Sequence, residues 1–335
     1  NTVPSLIPLG LDPKSLARAI SRSEVPEKVV PTLPAQSVYM AIKAIGPESA
    51  SEIVPLLTKA QYQTVLNFEL WEDDSFQEDN FWEWLNVIDE DESLTPLQQF
   101  ISSVDLKLIS LIIGRNVKTV VFDEPTENPP GPLYFTPDKG YTWIYINLND
   151  PTRYRLMGKL LAYLFESSAE HFYQLISVSN VTTQSELEES SFQDRQRHLS
   201  GEAIPETDFA FRVNSPLIVA RLKDEAIDIQ RTKTLEYIPV IEPLIFSGSH
   251  PDRLLEVTNS LRDSESQTFR EELTLILNCA IVRYKVKFFN QEEVLFLTAK
   301  VKGAINIGLE IAEKKLNLNP NQAYENFGLQ KIYRL

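Results

Sequence analysis

The residues whose types could bind a ligand or a partner are concentrated in two segments. The first is LNFELWEDDSFQEDNFWEWL at residues 66–85. It holds three of the four tryptophans of the chain, and all of its charged residues are acidic. Carboxylates bind divalent cations and attract basic proteins, and exposed tryptophans anchor protein interfaces. Three interpretations follow: a metal site, a surface for a partner, or an ordinary helical hairpin with an acidic exterior.

The metal interpretation has little support from spacing. A calcium loop of the EF-hand type needs Gly at its sixth position and Glu at its twelfth. Counted from Asp89, these positions hold Leu94 and Phe100, so this type of loop is excluded. The carboxylates of WEDDSFQED follow no other ligand spacing, and a solvated junction between helices is favoured over weak binding of Mg²⁺ or Ca²⁺. We predict no metal site and no cofactor.

The partner interpretation comes from the helical spacing at the end of this segment. Phe81, Trp84, Leu85 and Ile88 fall on one side of a helix, which is predicted to be buried. Trp82 is left over on the outside together with the acids. We therefore predict a surface for a protein partner, which would be basic. Its residues are Glu72, Asp73, Asp74, Glu78, Asp79 and Trp82.

The second segment is ELEESSFQDRQRHL at residues 186–199. On a helix, Glu188, Phe192, Arg195 and Leu199 form one stripe that combines two charged and two apolar groups, and such a stripe is predicted to face protein. Glu188 and Arg195 lie about 10 Å apart along the axis, so each is expected to pair with a group on another element. Arg195 in particular is expected to bind acidic or backbone acceptors outside its own helix. The alternative is an exposed helix with modest ion pairs.

Other residue types that do chemistry lack the arrangement that their chemistry needs. Cys279 lies in the apolar run LTLILNCAIV, which predicts a buried, unreactive thiol. Ser249 and His250 are neighbours in a turn, and no nucleophile elbow is present. His171 and His198 each lack a second histidine four residues away, which makes zinc improbable. The phosphate-binding patterns GxGxxG and GxxxxGK are absent from the chain, so no catalytic residue is predicted.

Three functions remain open. We favour a scaffold or regulatory protein-interaction module that carries the acidic, tryptophan-bearing surface. The second is an enzyme of unknown reaction with a polar cleft between two helical halves, lined by Glu188, Arg195, Arg197 and His198. The third is a divalent-metal-responsive regulator, which would need carboxylates from separate helices to converge. The sequence indicates no oligomeric state.

Composition narrows the class of protein. The chain has 335 residues, of which 43% are hydrophobic, enough for a sizeable core. A net charge of −15 argues against binding nucleic acid through its phosphates. A single cysteine rules out an internal disulfide and fits a reducing compartment, so a cytoplasmic location is expected. The longest apolar runs, at 108–114 and 273–282, are too short to span a bilayer, and the N-terminus does not resemble a secretory signal.

The elements that must position these residues are mostly helices. The 21 prolines against 11 glycines, with prolines spaced through the first hundred residues, predict short helices that stop and restart at proline. Stacked units of this kind form a helical-hairpin solenoid, which we assign to a domain over residues 1–122. At its end, TPLQQFISSVDLKLISLIIGRNVKTVVF (95–122) is predicted to be long, apolar and helical.

A different pattern occupies residues 123–150. It carries five prolines and two glycines before the aromatic and β-branched run YTWIYIN, which is typical of a strand. We predict a hairpin between GPLYFT and YTWIYIN, turned at PDKG. Residues 151–335 return to helical patterns, which include DEAIDIQRTKTLEYI (224–238), and form a C-terminal helical domain ending in a short tail. The predicted fold class is mainly α with one small β-hairpin.

Two stretches together resemble a known family: the N-terminal VPEKVVPTLPAQ…WEDDSF…FWEWL and the later ELEESSFQDRQRHLSGEAIP. The bacterial family called domain of unknown function 6178 follows the same order: LPAQ, a W..D junction, a WL helix, then a two-glutamate helix with paired arginines. The resemblance covers most of the chain and implies no activity. The first ninety residues also resemble the cytoplasmic N-terminal helical domain of magnesium transporters, which implies a regulatory, acid-rich module; no metal ligand carries over.

Overall fold

A computed structural model of the protein describes residues 13–46, 52–89, 94–201, 204–222, 252–287 and 290–335. The helix predicted at 224–238 lies outside these residues, and so do Ser249 and His250.

Helices dominate the described residues, which confirms the mainly α prediction. The α-helices are α1 (Pro13–Ser21), α2 (Pro26–Val29), α3 (Ala35–Ile45), α4 (Lys59–Glu69), α5 (Glu78–Asp89), α6 (Thr95–Ser103), α7 (Leu106–Asn116), α8 (Pro151–Ser167), α9 (Ala169–Val181), α10 (Gln184–Gly201), α11 (Thr207–Val213), α12 (Arg253–Ser260), α13 (Asp263–Arg283), α14 (Gln291–Leu316) and α15 (Pro320–Tyr333). The strands are β1 (Trp71–Glu72), β2 (Ser75–Phe76), β3 (Val117–Val121) and β4 (Thr142–Ile146). The solenoid repeat stays a prediction.

Contacts divide the chain into two compact units. The central unit is Ala50–Arg195, and the terminal unit combines Asn1–Ser49 with Gln196–Leu335. The boundaries predicted at residues 122 and 150 lie inside the central unit, and the three-domain division stays a prediction.

The core of the central unit is built on aromatic rings. Tyr62 of α4, Phe81 of α5 and Phe100 of α6 are each 0% exposed. The ring centroid of Phe100 lies 5.4 Å from that of Phe81 and 6.3 Å from that of Tyr62. Helix α4 begins at a capping box, in which Thr58 and Gln61 satisfy each other's backbone N–H groups. This start fixes the position of the helix that leads to WEDDSF.

The apolar segment 95–122 contains two helices and a strand, so the prediction that it is helical throughout is wrong. Val104 is extended, and the Asp105 carboxylate restarts the helix by accepting a hydrogen bond from Lys107 N at 2.9 Å. Among the described residues no single helix has the length and apolar character to cross a membrane; α6 and α7 meet that test only as a pair, and the pair bends by 104°. Val117–Val121 then forms β3, because this β-branched run pairs with β4.

The strand prediction at YTWIYIN is confirmed, but its main partner was predicted wrongly. β4 pairs with β3 in antiparallel register from Val117 opposite Ile146 to Val121 opposite Thr142. Of the predicted partner GPLYFT, only Phe135 forms a bridge, to Ile144. The PDKG segment does turn the chain, and Gly140 adopts a φ of +104° where a Cβ atom would meet Thr126 O at 2.2 Å.

The terminal unit has its own apolar core. Met40 of α3 packs there with side chains of α11–α15. Cys279 is 0% exposed, which confirms the prediction of a buried thiol, and burial raises its pKa to about 12. A thiol with such a pKa is protonated at neutral pH and is not a nucleophile. The predicted short tail is the helix α15, which begins at an Asn319–Gln322 capping box.

Candidate functional site: an acidic hairpin held by two helices

The segment WEDDSF forms a small β-hairpin rather than the predicted junction between helices. Strands β1 and β2 pair antiparallel, with Trp71 opposite Phe76 and Glu72 opposite Ser75. Asp73 and Asp74 make the turn, and Asp73 adopts a φ of +54°, a left-handed conformation that Asp tolerates better than most residues. Aromatic cross-strand pairs and Asp-rich turns both favour a hairpin. We call residues 71–76 the acidic hairpin.

The acidic hairpin separates its charged and aromatic groups. Glu72, Asp73 and Asp74 are exposed at the tip, whereas Trp71 and Phe76 at the base are each 6% exposed. The tip therefore presents carboxylates to solvent while the base is part of the core.

Aromatic contacts join the base to its neighbours on both sides. The Trp71 ring centroid lies 5.8 Å from that of Phe76 and 5.7 Å from that of Phe192 on α10. On the other side, Phe76 lies 6.5 Å from Phe81 of α5. Pairs of aromatic rings at these separations are stabilising beyond the area that they bury.

Glu188 on α10 holds the second strand of the hairpin. Its Oε1 accepts a hydrogen bond from the backbone N–H of Phe76 at 3.0 Å, and its Oε2 accepts one from Arg115 Nη2 at 2.8 Å. Arg115, near the end of α7, also donates from Nη1 to Glu78 Oε2 at 3.2 Å. Both carboxylate oxygens of Glu188 are thereby bound to elements outside α10.

Arg195 on α10 holds the turn of the hairpin. Its Nε donates to Asn67 O at 2.8 Å, and its Nη1 donates to Asp73 O at 3.3 Å. Its guanidinium carbon lies 5.8 Å from the Trp71 ring centroid and 5.9 Å from that of Phe192. Burial lowers the pKa of Arg195 to about 10, while the charge of Asp73 acts in the opposite direction. The side chain thus stays charged at neutral pH.

These contacts confirm two predictions from the stripe on α10. Glu188 and Arg195 pair with other elements, and Arg195 has backbone acceptors outside its own helix. Leu199 is 5% exposed, as expected for the stripe, whereas Phe192 is half-buried. The alternative of an exposed helix does not describe Glu188 and Arg195.

Two acids of the predicted partner surface have partners within the central unit. The half-buried carboxylate of Glu78 accepts hydrogen bonds from Asn116 Nδ2 at 2.8 Å and Trp82 Nε1 at 3.2 Å, besides the one from Arg115. The Asp79 side chain is 78% exposed and binds Arg153 Nη2 at 2.8 Å. Glu78 is therefore a structural residue, while Asp79 is at the surface.

Trp82 lies in the core, and its predicted place on the outside of α5 is wrong. It is 3% exposed, and its ring centroid lies 5.5 Å from that of Phe81. The physical reason is that α5 is covered by both α6 and α8. Trp82 shares a helical face with Asp79 and Asp89, and basic side chains of α8 bind both of these acids. Phe81, Trp84, Leu85 and Ile88 are buried as predicted.

The last two residues of the proposed polar cleft lie further along α10. Arg197 is exposed, and His198 is half-buried, with a pKa lowered by burial. Glu188 and Arg195 belong to the central unit, whereas Arg197 and His198 belong to the terminal unit. The enzyme hypothesis stays a prediction. Within the described residues no three His, Cys, Asp or Glu side chains are grouped to hold a metal ion.

Sequence reasoning missed Arg115, which joins Glu78 to Glu188. The sequence does contain a signal for it. Arg115 is the single basic residue in the apolar run LISLIIGRN, which follows Lys107, and a charged side chain in an apolar helix needs partners. The partners themselves lie 37 and 73 positions away, which spacing along one helix does not reveal.

The site brings together the segments that carried the family resemblance. The W..D segment and the two-glutamate helix meet where Phe76 N donates to Glu188, across 112 positions of sequence.

No curated protein matches the chain, and no solved structure does. The likeness to magnesium transporters therefore stays a prediction. A family model described as "Family of unknown function (DUF6178)" matches residues 8–335, and the chain belongs to this family.

Proposed function

We propose that the protein is a cytoplasmic scaffold or regulatory module that binds a basic protein partner through the tip of the acidic hairpin. One observation carries the proposal: Glu72, Asp73 and Asp74 are exposed at the tip, while Glu188 and Arg195 hold the base and the turn of the same hairpin. This surface is narrower than the one that the sequence predicts, because Trp82 is buried, the half-buried Glu78 is bound to Arg115, and Asp79 is paired with Arg153.

A hairpin tip that is fixed in place favours association with a partner for two reasons. A hairpin that is already ordered loses little conformational entropy when a partner binds. A concentration of negative charge also steers a basic partner toward the surface and raises the rate of association. From Ala60 to Val104 the chain has no lysine or arginine, so this stretch of sequence contributes only negative charge around the hairpin.

The test begins with capture of partners from the native host and continues with one purified partner. The variant Glu72→Gln/Asp73→Asn/Asp74→Asn removes three charges from the tip. Asn suits position 73 because it adopts the left-handed conformation readily. The control Glu83→Gln/Glu166→Gln/Glu170→Gln removes the same number of charges from other exposed sites of the central unit.

We expect the tip variant to associate with the partner about tenfold more slowly at low salt, and the difference to shrink at high salt. Thermal stability should stay near that of the wild type, because exposed charges contribute little to it. The proposal is contradicted if the association rate is unchanged, or if the control variant loses as much as the tip variant.

A further inference from the structure

The strand β3 has one edge paired and one edge open. Asn147 N donates to Asn116 O and Phe122 N donates to Tyr141 O, each at 2.8 Å. In this antiparallel register the backbone N–H and C=O groups that point toward β4 therefore belong to the even-numbered residues of β3. The backbone N–H and C=O groups of Thr119 and Val121 therefore point away from β4. β4 is paired on both sides, because Ile144 exchanges hydrogen bonds with Phe135 at 2.8 and 3.0 Å.

Within the part of the chain that the structure describes, the outward groups of Thr119 and Val121 make no hydrogen bond to another backbone group. At the end of α9, Asn180 Nδ2 donates to the side-chain oxygen of Thr119 at 2.8 Å. Proteins usually protect such an edge with a charge, a proline or a cover, because an open edge pairs readily with another strand.

The open edge carries exposed apolar groups. Val121 is 65% exposed, Phe122 is 36% exposed, and Tyr141, which pairs with Phe122, is 46% exposed. The protecting charge on this strand is Lys118, whose Nζ lies 6.0 Å from the Tyr145 ring centroid on the face of the sheet. Apolar side chains beside unpaired backbone groups are what a strand-adding partner needs.

Acidic residues near the end of β3 favour one orientation of an added strand. Phe122 follows β3, and Asp123, Glu124 and Glu127 come after it; all three acids are exposed. A strand added antiparallel to β3, the more stable arrangement per residue, would place its N-terminal end beside these carboxylates. Basic residues at that end complement them.

We propose that β3 binds an extended segment of a partner protein by antiparallel strand addition. The segment has β-branched or aromatic residues in its middle and Lys or Arg at its N-terminal end. This surface goes beyond the acidic hairpin and uses none of its residues, so the two proposals can fail independently.

The test uses the full chain and a fluorescent peptide of about eight residues, with two lysines at the N-terminus followed by alternating Val and Thr. Val121→Pro removes an outward N–H group and leaves the hydrogen bonds to β4 in place, because Val121 does not face β4. Val121→Ala is the matched control, since it loses the side chain and keeps the N–H group. A peptide with its lysines at the C-terminus tests the direction.

We expect saturable binding to the wild type by fluorescence anisotropy, with affinity about tenfold lower for Val121→Pro than for Val121→Ala. The peptide with C-terminal lysines should bind more weakly, and Asp123→Asn/Glu124→Gln should remove that preference. The tip variant of the acidic hairpin should bind the peptide as the wild type does. If Val121→Pro does not fold, a peptide methylated on the backbone nitrogens that face β3 replaces it and should not bind.

Any of four results would overturn the proposal. The first is no saturable binding of the peptide. The second is equal binding by folded Val121→Pro and Val121→Ala, and the third is loss of binding in the tip variant. The fourth, from sedimentation without peptide, is a dimer that Val121→Pro dissociates, which would make a second copy of the chain the occupant of this edge.

Discussion

Arg195 Nε donates a 2.8 Å hydrogen bond to the backbone oxygen of Asn67, a residue 128 positions earlier in the chain. Asn67 lies in the last turn of α4, where carbonyl groups have no partner within the helix and where a cation is favourable to the helix dipole. The same guanidinium reaches Asp73 O in the turn of the acidic hairpin. One side chain thus caps α4 and positions the segment that follows it.

Replacing Arg195 should destabilise the protein. Arg195→Ala leaves the Asn67 carbonyl without its charged donor and removes the contacts with Trp71 and Phe192, so we expect a loss of about 2 kcal/mol in the free energy of unfolding. Arg195→Lys should lose less than Arg195→Ala, because an ammonium group keeps a charged donor, but some loss should remain because it cannot reproduce the planar fork. Urea denaturation measures both, with Arg197→Ala as an exposed control on the same helix. A loss below about half a kcal/mol for Arg195→Ala would reject the structural role.

Trp82 should behave as a core residue and not as an interface residue. Trp82→Ala is expected to cost about 3 to 5 kcal/mol, because it leaves a large cavity between α5 and the helices that cover it. The matched control is Tyr154→Ala on α8, which removes an aromatic side chain that is 41% exposed. Thermal or urea unfolding compares the two variants. Equal stabilities of the two variants would contradict the placement of Trp82 in the core.

Tyr62 and Tyr173 form a matched pair for the role of a hydroxyl group. The Tyr62 hydroxyl is buried and has no hydrogen-bond partner among the described residues, whereas the Tyr173 hydroxyl donates to Asp138 Oδ2 at 2.6 Å. Tyr62→Phe should therefore leave stability unchanged or raise it by about 1 kcal/mol, and Tyr173→Phe should lower it by about 1 kcal/mol. Urea midpoints give the comparison. The reverse order would contradict the hydrogen bonding of these two hydroxyl groups.

Asp89 should make stability depend on acidity. Burial alone would raise the pKa of its carboxyl, but hydrogen bonds from Lys159, at 2.6 Å, and from Arg155 outweigh it and lower the pKa. A carboxyl with a lowered folded pKa contributes stability above its unfolded pKa of about 4, and this contribution is lost as the pH falls through the folded value.

Asp89→Asn should therefore destabilise the protein at pH 7, by roughly 1 kcal/mol, and flatten the fall in stability below about pH 4. Unfolding measured from pH 7 to pH 3 tests the prediction. Asp79→Asn, which breaks a largely exposed ion pair on the same helix, should change the profile less. A steep fall that persists in Asp89→Asn would assign the pH dependence to other groups.

The sequence predicted those parts of the site that lie on one helix. The period of α10 places Glu188 and Arg195 on one stripe, and the need of buried charges for partners is general, so their outward pairing could be expected. The identity of the partners could not, because Asn67, Phe76 and Arg115 come from other elements and two of them contribute backbone atoms.

The errors have physical causes as well. The prediction that Trp82 lies at the surface assumes that a helix buries one side, whereas α5 is covered by helices on two sides. The apolar run before residue 122 has residue types that suit a helix or a buried strand, and pairing with β4 decides for the strand in Val117–Val121. Tertiary contacts decide both cases.

The central claim is that α10 holds the acidic hairpin in place, and amide hydrogen exchange tests it most directly. Exchange measured by mass spectrometry over residues 70–77 should be slow in the wild type, where Phe76 N donates to Glu188 and Gln77 N donates to Leu70 O. In Arg195→Ala, studied under conditions where the variant is folded, exchange in this segment should become faster while α13 in the terminal unit is unchanged. Exchange over residues 70–77 that is the same in Arg195→Ala and the wild type would contradict the claim.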